Sequence, residues 1–271
     1  MIGLKSVKQA LEDIQNNILA NIIRQQQGMN ISPGTLHMVF RGNPGTGKTE
    51  VARKLGELLC AIGALPGNAF LEVNQADLIA GYVGQTALKV TEQVETVLHQ
   101  GGGILFIDEA YGLTNAGKTS GGGDFGKDAV NVLIKAMDDY RDKLCVIMAG
   151  YPKEMNDFVY RSNPGLKSRI AFFVDFPDYS SNELIEILKL HSGRQGYEIE
   201  PAAIEKVRSH LPTVNMEIEG NGRYIRNLME KAISKQARRV IEGANAKLLI
   251  ADDFLSGSGH AFSVKDIEII W

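Results

Sequence analysis

Hydrophobic residues follow two different spacings along this chain. In the first residues, Val7, Leu11, Ile14, Ile18 and Ile22 recur every three or four positions, which predicts an amphipathic helix. Short β-rich runs then alternate with helix-like stretches. The predicted strands are 36–40, 70–73, 104–107, 144–148 and 172–176, and the predicted helices are 49–61, 88–99, 127–137 and 153–160. This alternation predicts an α/β fold with a mostly parallel five-stranded sheet and helices on both faces.

After residue 178 the β pattern stops. The stretches 180–191, 201–211 and 223–242 are predicted helices. The first begins with Ser180 and Glu183 in capping-box spacing, and Pro201 suits the first turn of the second. We therefore predict an α/β domain over residues 1–178 and a small all-helical domain over 179–255. Residues 256–271 open with Ser-Gly-Ser-Gly-His and are predicted to be a linker-like tail without an assigned role.

Composition excludes several classes of protein. The formal net charge of −3 disfavours a broadly basic surface, so nucleic acid is not an expected partner. No apolar run reaches the ~18 residues of a membrane span, and we expect no membrane insertion. The two cysteines suit buried positions in a reducing compartment, which predicts a cytoplasmic protein. The five histidines show no metal-ligand spacing and are interpreted as structural.

Residues 42–49 spell G-x-x-x-x-G-K-T between a predicted strand and a predicted helix. Backbone N–H groups and the positive end of the helix dipole would face a polyphosphate there. Lys48 would neutralise the β- and γ-phosphates, and the Thr49 hydroxyl would bind Mg²⁺. A chance glycine-rich turn is the alternative, and the register of glycines, lysine and threonine disfavours it. The predicted residues for binding a nucleoside triphosphate are Asn43, Pro44, Gly45, Thr46, Gly47, Lys48, Thr49 and Glu50.

A second motif places two carboxylates after a buried strand. The apolar run 104–107 is followed by Asp108 and Glu109. Asp108 is predicted to hold Mg²⁺ through its waters, because this cation prefers oxygen ligands and keeps part of its hydration shell. Glu109 is predicted to act as the general base on the attacking water. The alternative is an ordinary strand end with solvated acids.

Together these motifs resemble those of AAA+ ATPases, which contain a P-loop NTPase domain and a helical lid. Within that family the chain is most similar to the CbbX/CfxQ group, which includes red-type rubisco activases, the stage V sporulation protein K type and the ATPase module of type VII secretion systems. The most specific stretches are FIDEAY at 106–111, AGY at 149–151, SNPGLKSRI at 162–170 and GNGRYIRN at 220–227. The resemblance implies ATP hydrolysis in a ring homo-oligomer, expected to be a hexamer.

Further site residues follow from the resemblance. Arg169 matches the arginine finger, which acts on the nucleotide of a neighbouring subunit, although a surface arginine or a shared role with Lys167 stays open. Arg223 matches the lid residue called sensor 2, with Arg226 as the alternative. Ile2 and Gly3 resemble the segment that packs against adenine. At sensor 1 the chain departs from the family, because the strand ends in Ala-Gly-Tyr without the usual Asn or Thr.

Tyr82 and Val83 lie between two glycines and resemble the substrate-gripping pore loop of AAA+ unfoldases. The alternative is a tyrosine that covers the core. The run 121–124, Gly-Gly-Gly-Asp, is either a second pore loop or an unstructured excursion. The leading functional hypothesis is an ATP-driven motor that remodels or threads a protein client of unknown identity. The alternatives are an ATP-controlled scaffold with slow hydrolysis and a nucleic-acid remodeller.

Overall fold

The computed structural model describes residues 1–30, 34–80, 85–115 and 125–255. The chain forms two compact units that meet in sequence between Asp178 and Tyr179, with Ile2 belonging to the second. None of the helices in the described ranges combines the length and the apolar character needed to cross a membrane.

The first unit is built on a five-stranded parallel sheet in the order β2-β3-β4-β1-β5, so the predicted α/β fold is confirmed. Strands β3 and β4 are buried at every position, as expected for central strands between two helical layers. The strands are β1 (Met38–Gly42), β2 (Ala69–Val73), β3 (Gly103–Ile107), β4 (Leu144–Gly150) and β5 (Phe172–Phe176). The helices are α1 (Lys5–Gln26), α2 (Lys48–Ala61), α3 (Gln75–Leu78), α4 (Gln85–His99), α5 (Gly112–Asn115), α6 (Phe125–Asp139), α7 (Pro152–Arg161) and α8 (Pro164–Arg169).

Side chains of β3 alternate between the two faces of the sheet. Leu105 and Ile107 belong to the large apolar cluster that includes residues of α4 and α6. Ile104 points to α2, where a Cβ built at Gly56 would lie 3.0 Å from its Cδ1 atom. Helices therefore cover both faces, as the uninterrupted apolar runs of these strands require.

His37 precedes β1 and is fully buried. Its Nδ1 accepts a hydrogen bond from the Val146 backbone N–H at 3.0 Å, and its Nε2 lies 2.9 Å from the Met137 carbonyl oxygen. An Nδ1 that accepts requires the neutral ring with its proton on Nε2. Burial lowers the pKa of His37, which favours the same neutral form. The His37 side chain thereby joins β4 to the end of α6. His37 itself lies outside the sheet, because the pairing of β1 with β4 begins at Met38.

Over residues 179–255, the second unit contains four α-helices and a short two-stranded parallel sheet. The predicted capping box is confirmed, because Ser180 N–H donates to Glu183 at 2.8 Å and Glu183 N–H donates to the Ser180 hydroxyl at 3.3 Å. The pattern did not predict the sheet, whose two-residue strands are too short to alternate. The elements are α9 (Ser181–Arg194), β6 (Glu198–Ile199), α10 (Pro201–His210), α11 (Met216–Glu219), α12 (Asn221–Ile241) and β7 (Leu248–Leu249).

Candidate nucleotide-hydrolysis site

The phosphate-binding loop connects β1 to α2, as predicted. Gly45 and Gly47 have φ angles of 70° and 93°, in the left-handed region that glycine occupies without a steric penalty. Helix α2 begins directly afterwards at Lys48, so its first N–H groups lie at the end of the loop. A helix N-terminus that follows a glycine turn suits a polyphosphate, because N–H donors and the helix dipole act together.

Lys48 contacts the carbonyl groups of its own loop. Its Nζ atom donates to the Gly42 oxygen at 2.7 Å and to the Asn43 oxygen at 3.0 Å. The Thr46 hydroxyl also donates to the Asn43 carbonyl, at 2.8 Å. These bonds hold the ammonium group beside the loop, where its charge lies close to any phosphate that the loop binds.

The side chain of Asn43 is bonded to a residue that the sequence did not indicate. Its amide nitrogen lies 3.0 Å from each carboxylate oxygen of Asp178. Asp178 ends the first unit and follows β5, the strand that pairs with β1. The loop is therefore fixed at its first variable position to the end of an adjacent strand.

Thr49 faces the carboxylate of Glu72, which lies on β2. Its hydroxyl oxygen is 3.5 Å from an oxygen of Glu72, and the other Glu72 oxygen is 3.8 Å from the Arg53 guanidinium. Arg53 in turn lies over the Phe70 ring, 4.2 Å from its centroid. The sequence did not indicate Glu72 as a site residue, because a single acid within an apolar strand predicts a solvent-facing position.

Asp108 and Glu109 follow β3 directly. The Asp108 N–H donates to the Val73 carbonyl at 2.9 Å, which continues the pairing with β2. The Asp108 carboxylate accepts the Glu109 N–H at 3.1 Å, and Glu109 takes a left-handed conformation with φ of 49°. Both acids line a cleft of about 660 Å³ whose other walls come from Asn74, Gln75, Ala76, Ile79 and Ala80.

The two motifs meet at one edge of the sheet. Asp108 and the phosphate loop both follow carboxyl ends of parallel strands, and these ends share an edge. Among the residues that the structure describes, no three His, Cys, Asp or Glu side chains cluster as a complete metal site. The oxygen donors Thr49 and Asp108 fit Mg²⁺ that takes its remaining ligands from water and phosphate.

Arg169 lies at the opposite edge of the sheet, near the amino end of β5. It ends α8, three residues before β5 begins, whereas Gly42 of the phosphate loop pairs with the last residue of that strand. At 3.3 Å per residue, a five-residue strand separates the two edges by roughly 13 Å. Arg169 donates from Nε to Asp138 at 2.8 Å, from Nη2 to the same carboxylate, and from Nη1 to the Gly165 carbonyl at 2.8 Å.

The Arg169 guanidinium holds the pKa of the Asp138 carboxyl below its usual range, chiefly through their hydrogen bonds. Lys167, the alternative finger, lies over the Tyr160 ring at 4.6 Å from the centroid. These two cations are thus held by different partners. Sequence reasoning missed Asp138, which precedes Arg169 by 31 residues.

The remaining predicted residues lie elsewhere. Arg223 and Arg226 are exposed residues in the first two turns of α12 in the second unit. Ile2 packs against the apolar cluster of that unit, and Gly3 belongs to the first. At the sensor 1 position β4 ends at Gly150, and Tyr151 precedes α7. Tyr82, Val83, the run 121–124 and the tail 256–271 lie outside the described residues.

A parallel sheet with a phosphate loop and a carboxylate pair at one edge, followed by a helical unit, defines a P-loop ATPase with a lid. The family model for the "ATPase family associated with various cellular activities (AAA)" matches residues 38–173, and the AAA lid domain model matches residues 180–257. The chain belongs to the AAA ATPase family and is an ATPase. Within it, the chain belongs with the CbbX, CfxQ and rubisco activase proteins.

Three relatives illustrate this similarity. Stage V sporulation protein K of Bacillus subtilis is 38% identical over 99% of this chain and 80% of its own length. Protein CbbX of Cereibacter sphaeroides is 39% identical over 92% and 78%, and a chloroplastic ribulose bisphosphate carboxylase/oxygenase activase of Cyanidioschyzon merolae is 39% identical over 92% and 83%. The FIGL-1 AAA domain in complex with ADP shares the fold, with a TM-score of 0.65 at 18% identity over 93% of this chain and 80% of that one.

Proposed function

We propose that this ATPase uses ATP hydrolysis in a ring oligomer to remodel or thread a protein substrate. The observation that supports the proposal is the position of two carboxylates, Asp108 and Glu109, at the same sheet edge as the phosphate loop. A protein that only binds ATP as an assembly signal does not need a general base. The name of one relative, a ribulose bisphosphate carboxylase/oxygenase activase, states an enzyme as its target, which supports a protein substrate here.

Each predicted site residue of the first unit would have a defined role. Residues Asn43 to Glu50 would bind the polyphosphate, with Lys48 supplying the positive charge. Thr49 and Asp108 would hold Mg²⁺, which supplies charge neutralisation on the phosphate oxygens when it is bound. Glu109 would take the proton of the attacking water. The ion pair with Arg53 balances the negative charge of the Glu72 carboxylate beside Thr49.

A second subunit would complete the site. Arg169 lies at the sheet edge opposite the phosphate loop of its own chain, which supports a finger that acts on the nucleotide of a neighbour. We infer a ring, with six subunits as the expected number. Residues 1–178 would form the nucleotide-binding domain and 179–255 the lid, which would contribute Arg223 to the γ-phosphate. Ile2 and Gly3 would contact adenine.

The scaffold alternative differs in its expected kinetics. Slow hydrolysis would follow from the missing sensor 1 amide at Gly150-Tyr151, and this alternative predicts no response of ATPase rate to a protein client. A nucleic-acid remodeller is disfavoured by the acidic net charge. The free thiols of Cys60 and Cys145 suit a reducing compartment such as the cytoplasm.

Tyr82→Ala separates the motor from the scaffold. With the Tyr82 ring as the grip on the client, basal ATPase stays near the parental rate, while stimulation by an unfolded polypeptide such as reduced casein is lost. Tyr82→Phe is the matched control and keeps the stimulation, because the contact is apolar. The ATPase assay is read beside a thermal melt, since truncation of a core aromatic would cost about 3 kcal/mol or more. An unchanged melt with unchanged stimulation would remove the pore-loop assignment, and absence of stimulation in the parent would favour the scaffold.

A further inference from the structure

The phosphate loop begins against the end of β5. Gly42 is the last residue of β1 and pairs with Phe176, the last residue of β5. A Cβ built at Gly42 would lie 2.5 Å from the Phe176 carbonyl oxygen and 2.6 Å from the Phe176 Cβ. These distances are shorter than van der Waals contact, so no side chain fits between the two strand ends. The start of the loop is therefore held by the sheet, and Asp178 follows Phe176 by two residues.

Asn43 ties the next position of the loop to Asp178. The Asn43 side-chain amide donates to the Asp178 carboxylate, and its nitrogen lies 3.0 Å from each carboxylate oxygen. The Asn43 carbonyl oxygen accepts hydrogen bonds from the Thr46 hydroxyl at 2.8 Å and from the Lys48 ammonium at 3.0 Å. Asn43 therefore links Asp178 to Lys48, the cation that we expect to face the phosphates.

A restraint on this loop matters because two of its residues are glycines with positive φ. Gly45 and Gly47 have more accessible conformations than other residues, so ordering them on ATP binding costs more conformational entropy. A contact that already holds the loop lowers this cost. Asp178 is exposed, and substitutions at exposed positions usually change the stability of a fold little. Loss of the Asp178 side chain should therefore weaken nucleotide binding more than it weakens the fold.

We propose that Asp178 is a positioning residue for ATP binding, which holds the phosphate loop in its binding conformation through Asn43. Asp178 does not bind the phosphates itself, because its negative charge repels theirs. Its effect on affinity therefore comes from the hydrogen bonds to Asn43. This inference rests on the proposed role of residues 43–50 in binding ATP.

The test is Asp178→Ala, with ADP as the probe in calorimetry and ATP in a steady-state assay. We expect the Kd of ADP to rise about 10-fold, as the loss of a hydrogen bond to a charged group implies. KM for ATP should rise similarly while kcat stays within about 2-fold, since the contact acts equally on bound substrate and transition state. The thermal melt should be unchanged. Parental ADP affinity would overturn the proposal, as would a fall in kcat with unchanged KM.

Two variants separate the hydrogen bonds from the charge and from the pairing of the strands. Asp178→Asn keeps an oxygen that can accept from the Asn43 amide, so ADP affinity should stay within about 3-fold of the parent. If the charge of Asp178 dominated, Asp178→Asn and Asp178→Ala would both raise ADP affinity, which would overturn the proposal.

Asp175→Ala is the matched control. Asp175 also joins β5 to β1, because the Arg41 Nε lies 2.7 Å from its carboxylate, but it does not contact the loop through Asn43. Its loss should leave ADP affinity within about 2-fold of the parent. An equal loss of affinity in Asp175→Ala and Asp178→Ala would indicate a general loosening of β5 and would overturn the specific role of Asp178.

A double-mutant cycle tests the route through Asn43. Asp178→Ala in an Asn43→Ala background should cause little further loss of ADP affinity, because both substitutions remove the same contact. A full additional loss of about 10-fold would show that Asp178 acts on another group and would overturn its assignment. Lys48→Ala tests the foundation separately and should abolish ADP binding. Parental affinity in Lys48→Ala would mean that the loop is not the nucleotide site, and this inference would fall with that function.

Discussion

Replacing His37 by Phe tests how β4 is attached to the end of α6. The imidazole is fully buried and serves two backbone groups, the Val146 N–H and the Met137 carbonyl. Phe fills a similar volume but pairs with neither group. An unpaired buried backbone group costs about 1 to 3 kcal/mol, so two of them cost about 2 to 6 kcal/mol of unfolding free energy.

The same substitution should remove a pH dependence. The pKa of His37 is lower in the folded chain than its ordinary value of 6.5, because burial disfavours the charged ring. The unfolded chain therefore binds one more proton between the folded pKa and 6.5. In that window the stability of the parent falls as pH decreases, by up to about 1.4 kcal/mol per pH unit, and above the window it is flat. The Phe variant lacks this contribution at every pH.

Urea unfolding from about pH 5 to about pH 8 at constant ionic strength gives both quantities. Because the chain has two units, the readout must report on the first. Cys145 lies buried on β4 next to Val146, so its labelling in a short pulse at one fixed pH detects the opening of this unit. Cys60 is partly exposed and is replaced by Ser in both proteins.

His191→Phe is the matched control. The pKa of His191 is also lowered, by burial and by Arg226 and Arg194, but this residue belongs to the second unit. It should leave the pH dependence of Cys145 labelling unchanged. An equal pH slope in the parent and in His37→Phe would refute the reasoning, as would a loss of stability below about 1 kcal/mol.

Two predictions concern hydrolysis. Glu109→Gln should keep ATP affinity and slow turnover on the order of 10²-fold or more, because the amide cannot accept the water proton; a parental rate in a phosphate-release assay would show that another group is the base. Arg169→Ala should lower hydrolysis in the assembled ring while an isolated subunit binds ATP as before, and mixing it with Glu109→Gln subunits should restore part of the activity. Mixed rings that never exceed either variant alone would argue against catalysis across the subunit interface.

Elements with a full hydrophobic repeat could be predicted from sequence, and the shorter ones could not. The 15-residue helix α4 has several turns of apolar spacing, whereas α3 has four residues and no repeat. The sequence feature that marks α3 is the pair of capping residues at its start. Asn74 accepts the Ala76 N–H at 2.8 Å and its own N–H donates to Asp77 at 2.8 Å, which is a capping box. In the same way, Asn163 followed by Pro164 marked the start of α8.

The site residues also differ in whether the sequence alone could predict them. The phosphate loop and the carboxylate pair are contiguous in sequence, so their residue types and order carry the prediction. Asp178 lies 135 residues from Asn43, and their contact depends on β5 pairing with β1. Sequence spacing does not state which strands are neighbours, so these partners became visible only with the fold.

The position of β1 in the sheet affects how the chain folds during its synthesis. Both neighbours of β1 are made long after it, and the Arg41 to Asp175 contact that joins β1 to β5 spans 134 residues. At about 5 to 20 residues per second, translation takes roughly 7 to 27 seconds to cover that span. Until β4 has been made, the apolar strand that carries the phosphate loop has neither neighbour to pair with, and until β5 follows it has only one. The nascent chain therefore exposes an aggregation-prone strand until β5 leaves the ribosome, which is the period when a chaperone would be needed most.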